Sequence, residues 1–401
     1  GLAAIGITIG LAYRLSAIVF FLGFTYIFLL EEVNYLNHLY LVCLLAFLSI
    51  FLPAHRARSL DVRLRPERFA THVPAWTLWL LRYQIAVVYI YGAIAKLNAD
   101  WLRGEPIRTW LREQPRLELL QAILGTETVV WIICYGGILV DLLVVPMLLW
   151  NRWTRIIGVV WLIIFHISNA LMFHIGIFPW LMLGITPLFF TIDWWTRRNA
   201  EWILPFRPVP ATDAGETRIE ARSRVPRAVV LSLLGVYAAY QVLMPLRHWL
   251  YPGDVAWTEE GHKFSWRMKL RSKRGEAYFV AYDPVSNRQW DVDVRPYVGD
   301  PLARRVATHP ERILQLAHWI AADLRKEYPE VEIHAETMVS LNGRPMEPIV
   351  DPYVDLAREK WSWRPAKWIR PLNSPLPPTT RPASRPAGDE DDFAVEVEPE
   401  M

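Results

Sequence analysis

The 401 residues suffice for two or three ordinary domains, and they are 53% hydrophobic with 20 Trp while carrying 43 Lys and Arg against 40 Asp and Glu. That mixture suits a membrane protein with a water-facing part. A net charge of +3 with no concentrated basic stripe excludes a nucleic-acid binder, and two cysteines, Cys43 and Cys134, each inside an apolar run, exclude a disulfide framework and a cysteine metal site.

The chain opens directly into GLAAIGITIGL without an initiating Met or a clear cleavage site, so it is expected to begin after an earlier segment. Seven apolar stretches follow, at 3–30, 36–52, 76–95, 129–149, 156–173, 175–190 and 229–250. A spanning helix needs roughly 20 mostly apolar residues. The first stretch is long enough despite Arg14, whereas the second and sixth are short. The fifth and sixth are separated only around His174 and Ile175, next to Gly176, which suits a tight hairpin or a re-entrant pair. Trp76, Trp101, Trp150, Trp153 and Trp180 lie near the ends of the runs, as interfacial belts require. Arg56, Arg58, Arg63, Arg65 and Arg68 follow the second run, Arg152 and Arg155 the fourth, and Arg197 and Arg198 begin a third basic loop after the sixth. Strict alternation puts these loops on one side, expected to be cytoplasmic, and the C-terminal part on the other. The loop 96–128 objects with five cations, which its five acids balance.

Residues 252–371 differ in kind. FSWRMKL and EAYFVAYD alternate like half-buried strands joined by a turn around Ser272–Gly275, RQWDVDV follows as a third strand, and VEIHAETMVSL is a further one ending in the turn NGRP, with Gly343 supplying a positive φ. ERILQLAHWIAADL places Ile313, Leu316, Ile320 and Leu324 on one helix face. From Asn373 the chain turns Pro-rich and then acidic, a composition that predicts disorder. The expected architecture is a mainly α, multi-span helical membrane domain over 1–250, a small extracytoplasmic α+β domain over 251–372, and a tail over 373–401.

The third run, WTLWLLRYQIAVVYIYGAIA, ends on Lys96, with Asn98 and Asp100 close behind. A lysine at the end of a membrane helix ordinarily snorkels to the interface. An apolar setting also favours the neutral amine, which can act as a base. Tyr89, Gly92 or Ala93, and Lys96 share one helix face, where small residues leave a slot for a flat ring. His166 and Asn169, three apart in an apolar run, suit either an interhelical hydrogen bond or a cofactor contact.

Several segments together resemble the vitamin K-dependent γ-glutamyl carboxylase family, including its bacterial members with the so-called horizontally transferred transmembrane domain. They are GLAYRLSAIVFFL, NHLYLVCLLAF, VYIYGAIAKLNADW, FHISNALMFHIGIFPWLMLGITPLFF, FSWRMKL, VSLNGRP and VDPYVDLAREKW, in family order from the first residues to about Leu372. The resemblance implies an integral protein of the bacterial cytoplasmic membrane acting on its extracytoplasmic side, a carbon–carbon lyase of the peptidyl-glutamate carboxylase kind. Its cofactor is reduced vitamin K, a menaquinone-type hydroquinone drawn from the bilayer, with dioxygen and carbon dioxide as co-substrates and no metal. An enzyme base deprotonates the hydroquinone, oxygenation to the epoxide generates a base strong enough for the glutamate γ-proton, and the carbanion captures carbon dioxide. Lys96 aligns with the family's catalytic lysine, and His38 with a histidine near the reacting quinone or oxygen; Asn37, Tyr89, Gly92, Ala93, His166 and Asn169 are the implied cofactor contacts. Trp266, Arg271, Lys273, Asn342 and Arg344 fall in segments resembling the surface that faces a glutamate-containing peptide, where cations suit a carboxylate.

The match departs at Asn98, where the vertebrate enzymes have Asp, at Arg267, which replaces the Asp of their SWD tripeptide, and at Arg271, which stands for a histidine. Their disulfide and their additional β domain, which helps to grip a propeptide, have no counterpart in these residues, so recognition of such a propeptide is not implied. Two other readings stay open: a quinone epoxidase or oxygenase with a different acceptor or none, and a non-enzymatic membrane module that binds lipid or peptide.

Overall fold

The computed structural model describes residues 1–30, 35–70, 72–112, 126–173, 175–190 and 225–377. Their contacts divide into two units, one of Gly1–Ile90 with Leu139–Leu243 and the other of Tyr91–Ile138 with the described residues from Met244 to 377.

The first unit begins with α1 (Leu2–Ile9) and α2 (Tyr13–Leu30). The sequence predicts one span over 3–30; the structure breaks it at Gly10, which adopts φ 66° and donates its N–H to the Ile7 carbonyl while Leu11 donates to that of Gly6. This left-handed cap ends a helix without a side-chain penalty. Then come α3 (Asn37–Phe51), the short α4 (Leu60–Leu64) and α5 (Trp76–Lys96), which runs on into the second unit. In the second unit, α6 (Ala99–Leu102) and α7 (Ile107–Arg112) precede α8 (Glu127–Leu149), whose C-terminal half returns to the first unit. The first unit continues with α9 (Arg152–Met172), α10 (Phe178–Ile185), which packs against α9, and α11 (Arg227–Leu246). The Asn151 side chain accepts from the Trp153 and Thr154 N–H groups and starts α9.

Five of these helices, α2, α5, α8, α9 and α11 with its 3₁₀ extension to Leu250, are long and apolar enough to cross a membrane. Large apolar side chains on them, such as Leu22, Ile164 and Val236, remain exposed, which is stable only against an apolar solvent. The runs at 36–52 and 175–190 give shorter helices, as their length predicts. His174 lies outside the described residues.

In the second unit α12 (Val255–Thr258) leads to β1 (Lys273–Asp283), β2 (Arg288–Val292), α13 (Asp300–Ala307), α14 (Pro310–Leu324) and β3 (Glu332–Leu341). The sheet order is β2-β1-β3, antiparallel throughout, with Lys273 opposite Leu341 and Tyr282 opposite Glu332. Along β3, Ile333, Ala335, Val339 and Leu341 are fully buried at period two, and they meet Ile313, Leu316 and Ile320 of α14 in one core. Leu324 packs at its edge. The NGRP turn forms as expected, with Asn342 at φ 52° and Gly343 at φ 76°.

FSWRMKL, expected as a strand, is irregular. Phe264, Trp266 and Lys269 take positive φ, which no strand allows, and Ser272–Gly275, expected as a turn, leads straight into β1. Alternation misled here because Trp266 and Leu270 are buried by loop packing rather than by a pleat. Of the tail expected from Asn373, the first residues are held in place: the Asn373 N–H donates to Glu347 and the Ser374 carbonyl accepts from Arg344 Nε at 3.0 Å. Residues from 378 onward lie outside the described residues.

Candidate active site

The first unit holds five of the polar residues singled out from sequence: Asn37, His38, Tyr89, His166 and Asn169. His166 is fully buried on α9, and its Nε2 is 3.0 Å from the Tyr89 hydroxyl of α5. Phe165 and Phe178 pack edge-on against the imidazole, with ring centroids 5.2 and 5.8 Å away. His166 Nδ1 is buried with no hydrogen-bond partner among the described residues. His38, 8% exposed at the first turn of α3, lies on the same Phe178 ring at 6.1 Å, and a Cβ on Gly176 would stand 3.6 Å from its Nε2. Asn37 beside it is buried and its side-chain oxygen accepts from the Tyr35 hydroxyl. Asn169 is half-buried one turn beyond His166, and its backbone carbonyl accepts from Phe173 at 2.9 Å.

In the second unit Lys96 is half-buried at the last residue of α5. Its Nζ donates to the Gly92 carbonyl at 3.4 Å and stands 5.4 Å over the Trp101 ring. Ala93, 2% exposed, lies on the same helix face. The ring is fixed in turn, because Trp101 Nε1 donates to the Cys134 carbonyl of α8 at 2.9 Å. Asn98 caps α6 by accepting from the Trp101 N–H at 3.0 Å, so the residue that departs from the family pattern has a local structural task. Gly137 of α8 faces the lysine stem: a Cβ there would lie 3.6 Å from Lys96 Cε and 3.8 Å from the indole. Indole faces attract cations, so the ring gives the amine a fixed place.

Directly beyond this turn, Asp100 is 6% exposed and receives a bidentate pair from Arg344, at 2.7 and 2.8 Å, and a third bond from Asn342 Nδ2 at 2.7 Å. Asn342 also accepts from the Ser272 N–H, and Arg344 Nε donates to the Ser374 carbonyl. The NGRP turn is therefore pinned to the segment that carries Lys96. The resemblance aims Asn342 and Arg344 at a glutamate substrate; in the fold both donate to Asp100.

Arg271 and Lys273 are engaged in the same way. Glu259 accepts from Lys273 at 2.7 Å and from Arg271 Nε at 2.8 Å, and Lys273 also donates to the Trp257 carbonyl at 2.6 Å. Arg271 reaches His262, and His309 Nε2 is 3.9 Å from Glu259. Trp266 is 1% exposed beside Arg267. Burial pushes Lys273 down to about 8 against the pull of Glu259, and pushes Arg267 down to about 10, so both stay charged at neutral pH. Three largely buried cations, Arg267, Arg271 and Lys273, thus face two acids, Glu259 and Asp254, and the cluster carries one positive charge in excess. That surplus complements a single carboxylate.

The two histidines give the cluster a pH dependence. Burial first, then Arg271 for His262 and Arg312 for His309, holds both well below the ordinary histidine range. Neutral in the fold, they take up protons on unfolding below about 6.5, so stability is complete above that pH and is lost as pH falls beneath it. Glu260, raised by burial, offsets part of the loss. Melting followed from pH 7 to pH 5 should show a falling midpoint, and replacing both histidines with glutamine should flatten the slope; an unchanged slope in the double variant would contradict this origin.

Sequence reading missed Asp100, Glu259, His262 and His309 as site residues, and Asp141, an acid 5% exposed within α8. Asp141 was visible as the one acid inside its apolar run. Nothing local marked Glu259 as the partner of Lys273. Among the described residues no group of three His, Cys, Asp or Glu side chains has the arrangement to hold a metal ion.

The profile of the HTTM domain matches residues 1–194, and that of the vitamin K-dependent gamma-carboxylase lumenal domain matches residues 226–375. The chain belongs to the vitamin K-dependent gamma-carboxylase family. No solved structure matches it. Within this family Lys96 and His38 fall in the HTTM match, whereas Arg271, Lys273, Asn342 and Arg344 fall in the lumenal-domain match. A lumenal-type domain following the helices suggests that the C-terminal part lies outside the cytoplasm, in agreement with the loop charges.

The vitamin K dependence implied by the family can be tested against the residues present. A reduced naphthoquinone brings a flat apolar ring and two hydroxyls. Gly137 leaves open the volume that a Cβ would fill beside the Lys96 stem and the Trp101 indole, and an amine stands there to meet a hydroxyl. In the other unit, the unpartnered His166 Nδ1 lies among aromatic rings. The amine beside Gly137 and the unpartnered imidazole nitrogen are the polar groups that would meet the hydroxyls of such a ring.

Proposed function

We propose that the chain is a membrane carboxylase that couples oxygenation of a reduced naphthoquinone to carboxylation of a glutamate side chain. The observation that carries this reading is Lys96: an amine at the end of a membrane helix, over an indole face, beside a glycine gap. When bound, the quinone supplies, on oxygenation, the base strength that no side chain has. The chain's own task is proton handling and placement. Nζ of Lys96 accepts a hydroxyl proton, and Trp101 stabilises the ammonium so formed. Gly137 admits the ring edge. The cationic surplus around Arg267, Arg271 and Lys273, held in place by Glu259, favours a substrate carboxylate. The extended domain boundaries at 250 and 372 and the extracytoplasmic placement of the second domain belong to the same proposal.

The test is an assay of purified protein with reduced menaquinone, dioxygen and labelled bicarbonate, with and without a glutamate peptide. Epoxide together with peptide-bound label is the expected result. Epoxide without label on any glutamate peptide would instead favour a quinone oxygenase, and neither product would leave a binding module.

A further inference from the structure

We propose that an arginine-rich cavity at the start of α2, within the first unit, binds the phosphate of an anionic phospholipid headgroup. The cavity has a volume of about 530 Å³ and is lined by Arg14, Arg56, Arg65 and Arg68, with His55 and a single acid, Asp61. The acid is already occupied. Its two oxygens accept from the Ala12 and Tyr13 N–H groups at 2.8 and 3.1 Å, capping α2, and Arg68 stands 3.6 Å away. Four guanidinium groups therefore share one carboxylate, an arrangement that calls for an anion.

Two buried polar atoms at the cavity lack a hydrogen-bond partner among the described residues: Nδ1 of His55 and Nε of Arg56. His55 is only 5% exposed and is stacked on Tyr13 at 5.1 Å. Burial, then the neighbouring Arg56, holds this imidazole below its ordinary range, so its nitrogens can donate or accept according to tautomer. Gly10 makes the enclosure possible. At φ 66° it lets the turn between α1 and α2 close on Ser59, where a Cβ would collide with the serine Cβ.

The rim decides for a lipid over free phosphate. Leu11, Leu15 and Leu64 line the same cavity and are 39%, 63% and 70% exposed, placing apolar surface beside the charged floor at the end of a membrane-length helix. The arginines belong to the side that the loop charges assign to the cytoplasm, where anionic lipids concentrate and basic pockets capture their headgroups. The inference rests on the membrane reading and is independent of the proposed carboxylation.

The experiment places the full chain in nanodiscs of phosphatidylcholine, with or without phosphatidylglycerol, and reads retained lipid by native mass spectrometry. Phosphatidylglycerol is expected to be retained in preference to phosphatidylcholine and to resist displacement by inorganic phosphate. Arg14→Gln with Arg65→Gln, both exposed side chains, should weaken retention about thirtyfold with an unchanged melting temperature. Arg58→Gln with Arg63→Gln, the same charge loss outside the cavity, should leave it unchanged. Equal retention of both lipids, displacement by inorganic phosphate, or equal loss in the two double variants would overturn the assignment.

Discussion

Epoxide formation from reduced menaquinone is expected to fall by about a hundredfold to ten-thousandfold when Lys96 is replaced by alanine, the range over which a positioned general base contributes. Lys96→Arg separates this role from snorkelling. An arginine keeps the charge and the reach to the interface but cannot give up its proton near neutrality, so it preserves an anchor and abolishes a base. Both variants should insert and purify like the wild type, and both should fail in the epoxide assay. Full activity in Lys96→Arg would assign the residue to anchoring. The surroundings explain why this lysine suits the task. Its Nζ donates to the Gly92 carbonyl and lies over an indole that is itself fixed to the Cys134 carbonyl. In the proposed role, a nitrogen with one defined place needs little reorganisation on accepting a proton.

The second large effect concerns stability. Asp100 and Arg344 are each less than a tenth exposed and joined by two charge-assisted bonds. Arg344→Ala leaves a buried carboxylate with Asn342 as its one remaining side-chain partner among the described residues, a loss of about 3–5 kcal/mol by analogy with other broken buried pairs. Removing both partners leaves no stranded charge, so Asp100→Ala with Arg344→Ala should be more stable than the sum of the single losses predicts. Thermal unfolding of the four proteins in detergent measures the coupling. Single variants that melt with the wild type would show that water replaces the lost partner. The consequence for activity follows from position: Asp100 lies four residues beyond Lys96, on the turn that also carries Trp101.

The cationic cluster around Glu259 illustrates a different balance. Each buried cation is costly alone, and Glu259 offsets two of them through short contacts. Arg271, which by the resemblance stands for a histidine of the vertebrate enzymes, bonds here to His262 and Glu259.

Much was legible in the residues alone. Membrane-length helices announce themselves because lipid requires unbroken apolar runs, and five of the seven runs reach that length in the fold. The helix carrying Ile313, Leu316 and Ile320, the buried alternation of β3 and the NGRP turn follow from periods of 3.6 and 2 and from a glycine at positive φ, all of which are local properties. The position of Lys96 at a helix end was equally plain. The tertiary structure decided the rest. It broke the first run at Gly10, turned FSWRMKL into a loop around buried Trp266, and chose partners across the chain: Asp100 for Arg344, 244 residues away, and Tyr89 for His166, 77 residues away. A charged or polar side chain carries no sequence mark of its partner, because pairing depends on which groups packing brings together and deprives of water. Periodicity can be read from neighbours, whereas a buried contact exists only once the chain has closed around it.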